Sequence, residues 1–122
     1  MTRRPTPPGL RIRIAFESGA ILGPGKADLL EGIRDTGSIA AAGRRMGMSY
    51  KRAWTLTETL NAIAREPLVA AVRGGAGHGG ASLTALGAEV LAAYRALEAK
   101  AAEAAGDEIA MLRSAVDMAD RK

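Results

Sequence analysis

At 122 residues and without cysteine, the chain has room for about one domain and can form neither disulfides nor thiolate metal sites. Its apolar runs are short and interrupted by charges, which excludes a membrane span, and its start lacks the apolar core of a signal peptide. The formal net charge is +4, yet residues 1–83 carry 12 Lys or Arg against 6 Asp or Glu, whereas residues 84–122 carry 5 against 7. We therefore expect a cytoplasmic protein whose basic part presents a phosphate-binding face, unless the arginines only reflect a GC-rich genome.

An N-terminal arm, a hairpin and a helix open the chain. Residues 1–9 show no periodicity and predict a mobile arm. Apolar and polar residues then alternate over 10–17, which predicts a half-buried strand, and residues 20–22 are its hairpin partner. Residues 26–35 have the apolar spacing of a helix, and Gly37 is suited to the left-handed conformation that ends one.

The next stretch predicts a helix-turn-helix. Ser38 and Ser49 can each cap a helix, because their side-chain oxygens accept from N–H groups of the first turn. Gly47 supplies the break between the two helices, and so short a turn makes them cross steeply. Gly43 is expected where the helices pass closest. The second helix, over residues 50–65, is the predicted recognition helix.

One face of this recognition helix is predicted to meet DNA. The buried stripe at helical spacing is Ala53, Leu56, Leu60 and Ile63. Lys51, Thr55 and Glu58 fall on the opposite side, and Glu58 is not a candidate because it is neither basic nor hydroxyl-bearing. Tyr50 and Arg52 flank that side at the helix head, so all four are candidates for base and phosphate contacts, and Lys51 or Arg52 can bond a guanine. Trp54 lies outside the stripe, and packing against the wing or the supporting helix is favoured over a place along the DNA backbone.

Two short strands joined by a glycine-rich loop follow. Residues 68–72 and 81–83 suit strands, and residues 73–80 contain five glycines. Together they predict the wing of a winged helix, whose backbone N–H groups can approach phosphates or the minor groove. A nucleotide-binding loop is disfavoured because no Gly-Lys-Ser/Thr ending follows. His78 has no partners at metal spacing, so we expect a solvated residue or a phosphate contact and no metal.

Two further helices are predicted at the end of the chain. Thr84 caps the first, which is about 20 residues long, and the second starts near Asp107. Their apolar positions are Leu86, Val90, Tyr94, Leu97 and Ala101, then Ile109, Leu112 and Val116. One small core cannot cover both stripes, which favours a homodimer through helices in residues 84–119; the alternative is that both helices pack on their own domain.

Enzymatic chemistry finds little support in the sequence. Paired carboxylates on one face, a nucleophile with a histidine base and a metal constellation are all missing from its pattern. We therefore expect no catalytic residues and no cofactor.

The residues that carry a resemblance to a known family are Thr-Gly-Ser-Ile at 36–39, Gly-Met-Ser-Tyr-Lys-Arg-Ala-Trp at 47–54, Asn61, Pro-Leu-Val at 67–69, the glycine loop at 74–80 and Leu-Thr-Ala-Leu-Gly at 83–87. Together they resemble the N-terminal DNA-binding domain of ModE-type molybdate-responsive regulators, a LysR-like winged helix-turn-helix. The resemblance implies a homodimeric transcription factor on a palindromic operator, with Ser49, Tyr50, Lys51 and the wing glycines at the DNA-contact positions.

The chain departs from this family in two respects. Members that sense molybdate do so in a second domain after the long helix, for which 122 residues leave no room. The family wing often has a lysine where Ala76 stands, which leaves Arg73 as the only permanent cation of this wing. We therefore expect a stand-alone form that binds DNA and dimerises without binding molybdate. Control of molybdenum or oxyanion transport genes is an inference from the family alone.

The sequence thus predicts a mainly α fold with a small β component, namely a winged helix-turn-helix with long C-terminal dimerisation helices. Its regions are the arm at 1–9, the DNA-binding domain at 10–83 and the helical dimerisation region at 84–122. The predicted DNA-binding residues are Ser38, Arg44, Arg45, Ser49, Tyr50, Lys51, Arg52, Thr55, Arg73, Gly74, Gly75, Gly77, His78 and Gly79. The predicted function is that of a sequence-specific transcriptional regulator; the alternative is an architectural or protein-interaction module that acts through its C-terminal helices.

Overall fold

The chain is mainly α-helical with a small β component, as predicted, in a computed structural model that describes residues 9–73 and 79–120. Its elements are β1 (Ile14–Ala15), β2 (Ile21–Leu22), α1 (Pro24–Thr36), α2 (Ile39–Arg45), α3 (Tyr50–Ile63), β3 (Val69–Arg73), β4 (Gly79–Leu83), α4 (Ala85–Ala104) and α5 (Gly106–Asp120). The strands form two separate antiparallel hairpins, β1 with β2 and β3 with β4. No helix in the described part of the chain is long and apolar enough to cross a membrane. Nearly all of the predicted arm lies outside the described residues.

The first hairpin is shorter than the sequence predicted. The alternation over residues 10–17 predicted a longer strand, but β1 pairs with β2 over two residues only. Leu10 and Phe16 are 41% and 47% exposed, so the predicted apolar face is not continuous. The reason is that α1 begins almost directly after β2, which leaves the rest of the first strand without a partner. The hydroxyl of Tyr94, from α4, donates to the Ile12 carbonyl at 2.6 Å and holds this segment instead.

Helix α1 is the element around which the others pack, with contacts to α2, α3, α4 and β4. Its predicted apolar side is fully buried and consists of Ala27, Leu29, Leu30 and Ile33. Gly32 faces α2 so closely that a Cβ there would lie 2.9 Å from the Cβ of Ala42. Gly37, at φ +72°, ends the helix in the predicted left-handed conformation and donates its N–H to the Ile33 carbonyl at 2.8 Å.

The β3–β4 hairpin, which confirms both predicted strands, is fixed to the helices on both of its edges. On the β3 edge, the Asn61 side chain accepts from the N–H groups of Leu68 and Val69, each at 2.9 Å. It also donates to the Val69 carbonyl at 3.2 Å, so its amide pairs with β3 much as a neighbouring strand would. On the β4 edge, Ala81 donates its N–H to the Gly37 carbonyl at 3.0 Å. These bonds fix the hairpin relative to α3 and to the start of α2.

Helices α4 and α5 differ in how much of their apolar surface is covered. Helix α4 begins at the predicted cap Thr84, whose hydroxyl accepts from the Gly87 N–H at 3.0 Å. A Cβ on Gly87 would overlap the Leu68 carbonyl oxygen, so glycine allows α4 to approach β3. Leu91 and Tyr94 are buried in the core. The large apolar side chains that stay exposed on these two helices are Leu97, Met111, Leu112 and Val116.

Candidate nucleic-acid interface

The start of α3 is fixed by a cap and a turn, as predicted. Ser38 and Ser49 are the N-caps of α2 and α3. Their hydroxyls accept from the N–H groups of Ala41 at 3.0 Å and Arg52 at 3.1 Å, respectively. Gly47 lies between the helices at φ +72°, the left-handed conformation that favours glycine. Capping satisfies N–H groups that would otherwise be unpaired, so the head of α3 is locally well defined.

Small residues allow α2 and α3 to touch. At the end of α2, Met48 donates its N–H to the Gly43 carbonyl at 2.9 Å and Gly47 donates to the Arg44 carbonyl at 3.1 Å. These two bonds are the pattern of a Schellman helix ending. A Cβ on Gly43 would lie 2.8 Å from the Cβ of Ala53, which is closer than side chains pack. The prediction that Gly43 marks the closest approach is therefore confirmed.

The inward face of α3 is the predicted stripe with one addition. Ala53 and Leu60 are fully buried, and Leu56 and Ile63 are half-buried. Thr57 is also buried, at 2% exposed, and its hydroxyl donates to the Ala53 carbonyl at 2.8 Å. The bond satisfies the hydroxyl without a partner on another element. Helical spacing from Ala53 places Thr57 in the stripe, but the prediction counted apolar residues only and therefore left out this polar side chain.

The outward face of α3 exposes the residues predicted to meet DNA. Tyr50 is 59% exposed, and Lys51, Arg52 and Thr55 are exposed with it. A shallow concavity of about 340 Å³ follows this face and is lined by Ser49, Lys51, Arg52, Thr55, Leu56 and Thr59. Thr59 was not predicted, although it lies one helical turn beyond Thr55 and the spacing could have found it. Because the concavity is open along one helix, it suits a surface contact better than an enclosed small molecule.

The cations near α3 differ in whether they are already neutralised. Arg44, Lys51 and Arg52 take part in no ion pair within residues 9–73 and 79–120. All three are exposed. Cations without carboxylate partners keep their charge available to a phosphate, and each phosphate they neutralise releases counterions from DNA. This surface can therefore bind a polyanion.

Arg45 has a partner of its own. Its guanidinium lies 3.4 Å from one carboxylate oxygen of Asp35, whose other oxygen accepts from Arg34 at 2.9 Å. The hydrogen bond from Arg34 lowers the pKa of the Asp35 carboxyl, so Asp35 is ionised at neutral pH. Of the two arginines predicted at the end of α2, Arg44 is thus the one that takes part in no ion pair within the described residues.

The remaining predicted residues lie outside the exposed face of α3. The hydroxyls of Ser38 and Ser49 accept from backbone as caps and keep a proton that can still be donated. Arg73 ends β3 opposite Gly79, the first residue of β4. The predicted wing residues that fall outside the described part of the chain are Gly74, Gly75, Gly77 and His78. Among the residues that are described, no group of three or more His, Cys, Asp or Glu side chains is placed to hold a metal.

Trp54 is partly covered by the fold. Its side chain is 43% exposed on α3. The residues that pack inward are Ala53 and Thr57, and one residue along a helix turns the side chain by about 100°. Trp54 therefore sits at the edge of the buried stripe, where the core covers only part of its ring.

Comparison with known proteins finds a molybdenum-pterin-binding protein, a molybdenum transport protein and a transcriptional regulator among the relatives. Molybdenum-pterin-binding protein MopB of Rhodobacter capsulatus is 44% identical over 86 residues, which are 70% of this chain and 32% of the relative. Molybdenum transport protein ModE of Azotobacter vinelandii is 42% identical over 88 residues, which are 72% and 33% of the two chains. DNA-binding transcriptional dual regulator ModE of Escherichia coli strain K12 is 37% identical over 71 residues, or 58% and 27%.

These similarities cover a limited part of the relatives. The chain spans about a third of the length of the curated relatives it matches. No family profile matches the chain.

Proposed function

We propose that the chain is a sequence-specific DNA-binding transcriptional regulator with a winged helix-turn-helix over residues 10–83. Helices α2 and α3 form the helix-turn-helix, α3 is the recognition helix, and the β3–β4 hairpin is the wing. The observation that carries this proposal is the exposed face of α3, where Lys51 and Arg52 take part in no ion pair within the described residues. The name of the Escherichia coli relative, a DNA-binding transcriptional dual regulator, supports it.

In this proposal α3 enters the major groove with its N-terminal residues toward the base edges. Lys51 or Arg52 bonds a guanine, while Tyr50 and Thr55 offer hydroxyls to bases or phosphates. Arg44 neutralises a phosphate, and the glycine-rich loop of the wing approaches the neighbouring backbone. The base contacts supply the specificity and the cations supply most of the affinity.

We further propose that the protein binds DNA as a homodimer through helices in residues 84–119. Helix α5 exposes Met111, Leu112 and Val116 at 65%, 58% and 55%, an apolar surface that a second copy would remove from water. A two-fold dimer places two recognition helices in successive major grooves, about 34 Å apart, and therefore fits a palindromic operator.

The proposed targets include molybdenum or oxyanion transport genes, because a relative is named a molybdenum transport protein. A molybdate site is not part of the proposal for residues 1–122, since the resemblance places oxyanion sensing beyond the matched segment. The DNA motif bound by this chain is therefore expected to be the same with and without molybdate.

The first test is a genome-wide selection of DNA fragments by the purified chain at near-physiological salt, with and without molybdate. We expect one palindromic motif to be enriched, because a dimeric recognition helix reads two half-sites. The affinity should fall steeply with added salt as counterions are released. Binding without any enriched motif would contradict sequence-specific regulation.

Lys51→Ala tests the recognition role of α3. We expect about tenfold or greater loss of affinity for the selected motif, the effect of removing one good base contact, with dimerisation unchanged. Arg11→Ala is the control, since it removes one positive charge from an exposed position before β1, outside α3 and outside residues 84–119. Unchanged affinity and unchanged motif in Lys51→Ala would remove Lys51 from this role.

An architectural or protein-interaction module is the second candidate function, favoured by the exposed apolar side chains of α5. Salt separates the two candidates, because an apolar helix interface does not depend on counterion release. The same selection adds a second criterion. A single enriched motif supports the regulator, DNA binding without a motif supports an architectural module, and the absence of salt-sensitive DNA binding supports a protein-interaction module.

A further inference from the structure

Helix α3 exposes an aromatic stripe beside its basic one. Tyr50 and Trp54 are one helical turn apart and are 59% and 43% exposed. Lys51 and Thr55 form a parallel stripe about 100° around the helix. Tyr50 leaves most of its surface in water and Trp54 leaves nearly half, so these two aromatic neighbours on the proposed DNA-binding helix need an explanation.

Asn61 shows which way the aromatic stripe faces. Trp54 and Asn61 are seven residues apart, so they lie on the same side of α3, two turns from each other. The Asn61 amide bonds the backbone of Val69 at the free edge of β3. This side of α3 is therefore the side of the β3–β4 hairpin, and the aromatic stripe lies between the outward basic face and that hairpin.

The chemistry of an indole fits the DNA backbone at this place. If the outward face of α3 points at base edges, its hairpin side faces the sugar–phosphate wall that borders the groove. The ring offers an apolar face to deoxyribose, and Nε1–H is a donor without acceptor character, which suits a phosphate oxygen. The neighbouring Lys51 and Arg52 draw the same polyanion to this surface.

We propose that Trp54 is a DNA-backbone contact, with its ring on deoxyribose and its Nε1–H donated to a phosphate oxygen. The inference rests on the proposed DNA binding of α3 and adds a residue to it. Backbone contacts position a protein without reading sequence, so Trp54 strengthens binding to all duplexes alike. It acts through a neutral group, unlike the cations beside it.

Fluorescence tests this directly, because Trp54 is the only tryptophan of the chain. The full chain is titrated with a duplex carrying its selected motif and with a scrambled duplex of equal length, and quenching by acrylamide is measured in both complexes. We expect the quenching constant to fall at least about twofold in each, because a contact would cover the 43% of the side chain that is exposed.

The Trp54→Phe variant separates a backbone contact from a structural role. It keeps an aromatic ring but loses the N–H, so affinity for both duplexes should fall about tenfold, the loss expected for one hydrogen bond to a charged acceptor. The slope of log affinity against log salt should stay unchanged, because no charge is removed. Arg52→Ala should instead lower that slope by about 1. Thermal melting of each variant checks that the fold is kept.

Phe16→Ala is the control for position, because it alters an exposed aromatic side chain that lies after β1, outside the helix-turn-helix. Its affinity for either duplex should equal that of the unaltered chain. Equal losses in Phe16→Ala and Trp54→Phe would overturn the proposal, since the effect would then not depend on the position of Trp54 on α3.

Other outcomes are equally decisive. Protection from acrylamide by the motif duplex alone would assign Trp54 to base recognition and overturn the backbone contact. Protection that grows with protein concentration in the absence of DNA would assign the ring to a second copy. Binding of DNA with unaltered quenching would overturn this inference alone, whereas a chain that binds neither duplex would overturn the proposed function together with it.

Discussion

The two helix pairs α2–α3 and α4–α5 expose surfaces of different chemistry to solvent, basic in the first pair and apolar in the second. In the first pair, Gly43 brings Ala53 into contact and the outward face of α3 carries Lys51 and Arg52. In the second pair, nothing lies within 4 Å of a Cβ built on Gly106. The exposed large side chains of α5 are Met111, Leu112 and Val116.

This difference indicates what each pair requires from outside the fold. The apolar stripe of α3 is covered by the chain itself, so its outward face can be basic and hydroxyl-rich without loss of stability. The apolar side chains of α5 are not covered, and each Å² of apolar surface left in water forgoes about 25 cal/mol. The first surface suits a polyanion and the second suits another protein surface, which is why we assign them different partners.

The largest expected effect is on the free energy of unfolding, when one glycine from each helix pair is replaced by alanine. Gly43→Ala should lower the free energy of unfolding by about 2 kcal/mol, because overpacking typically costs more than the helix gains from alanine. Gly106→Ala meets open space and should be neutral or slightly stabilising. Urea denaturation followed by circular dichroism measures both. Equal effects at the two positions would show that the tight contact of α2 with α3 does not constrain the sequence.

A charge introduced on α5 tests whether its exposed apolar side chains form the dimer interface. Leu112→Glu should weaken self-association at least about tenfold, or about 1.4 kcal/mol, because an interface would have to bury an unpaired carboxylate. Sedimentation equilibrium measures the change. Leu10→Glu is the control, since Leu10 is likewise exposed but lies in the N-terminal segment. If neither substitution alters the association state, the apolar face of α5 is not the dimer interface.

The α2–α3 unit was largely predictable because its determinants are local. The caps at Ser38 and Ser49, the turn at Gly47 and the close approach at Gly43 all depend on residues within a short stretch. Each of these features depends on one residue type and on contacts with residues nearby in the sequence. The outward residues of α3 followed from helical spacing in the same way.

Contacts between distant segments were not predictable from these patterns. Alternation over residues 10–17 predicted a strand, but its length depends on how soon α1 follows β2. The 43% exposure of Trp54 likewise depends on the packing of several elements and not on helical spacing alone. The ion pair between Arg45 and Asp35 joins two helices across ten residues, and the helical periodicity of the sequence does not predict it. Charge counts therefore overstated the number of free arginines near α3.

Arg95 on α4 connects this helix to α1 through ion pairs. Its guanidinium lies 2.7 Å from Asp28 and 2.9 Å from Glu31, both on α1, and 3.0 Å from Glu98 on its own helix. Partial burial acts to lower the pKa of Arg95, but the hydrogen bonds that its guanidinium donates to the three carboxylates outweigh it and raise the pKa. Arg95 is therefore charged at neutral pH.

We expect Arg95→Met to reduce the free energy of unfolding by less than about 1 kcal/mol, because the side chain is partly exposed and ion pairs at a surface are screened by water. Methionine keeps much of the apolar stem, so the loss reports mainly on charge. Urea denaturation in low salt and in 1 M NaCl checks this, because the screening length in 1 M salt is roughly 3 Å. The difference in the free energy of unfolding between the unaltered chain and Arg95→Met should shrink in high salt. A larger loss that salt does not reduce would mean that the arginine joins the two regions through packing rather than through charge.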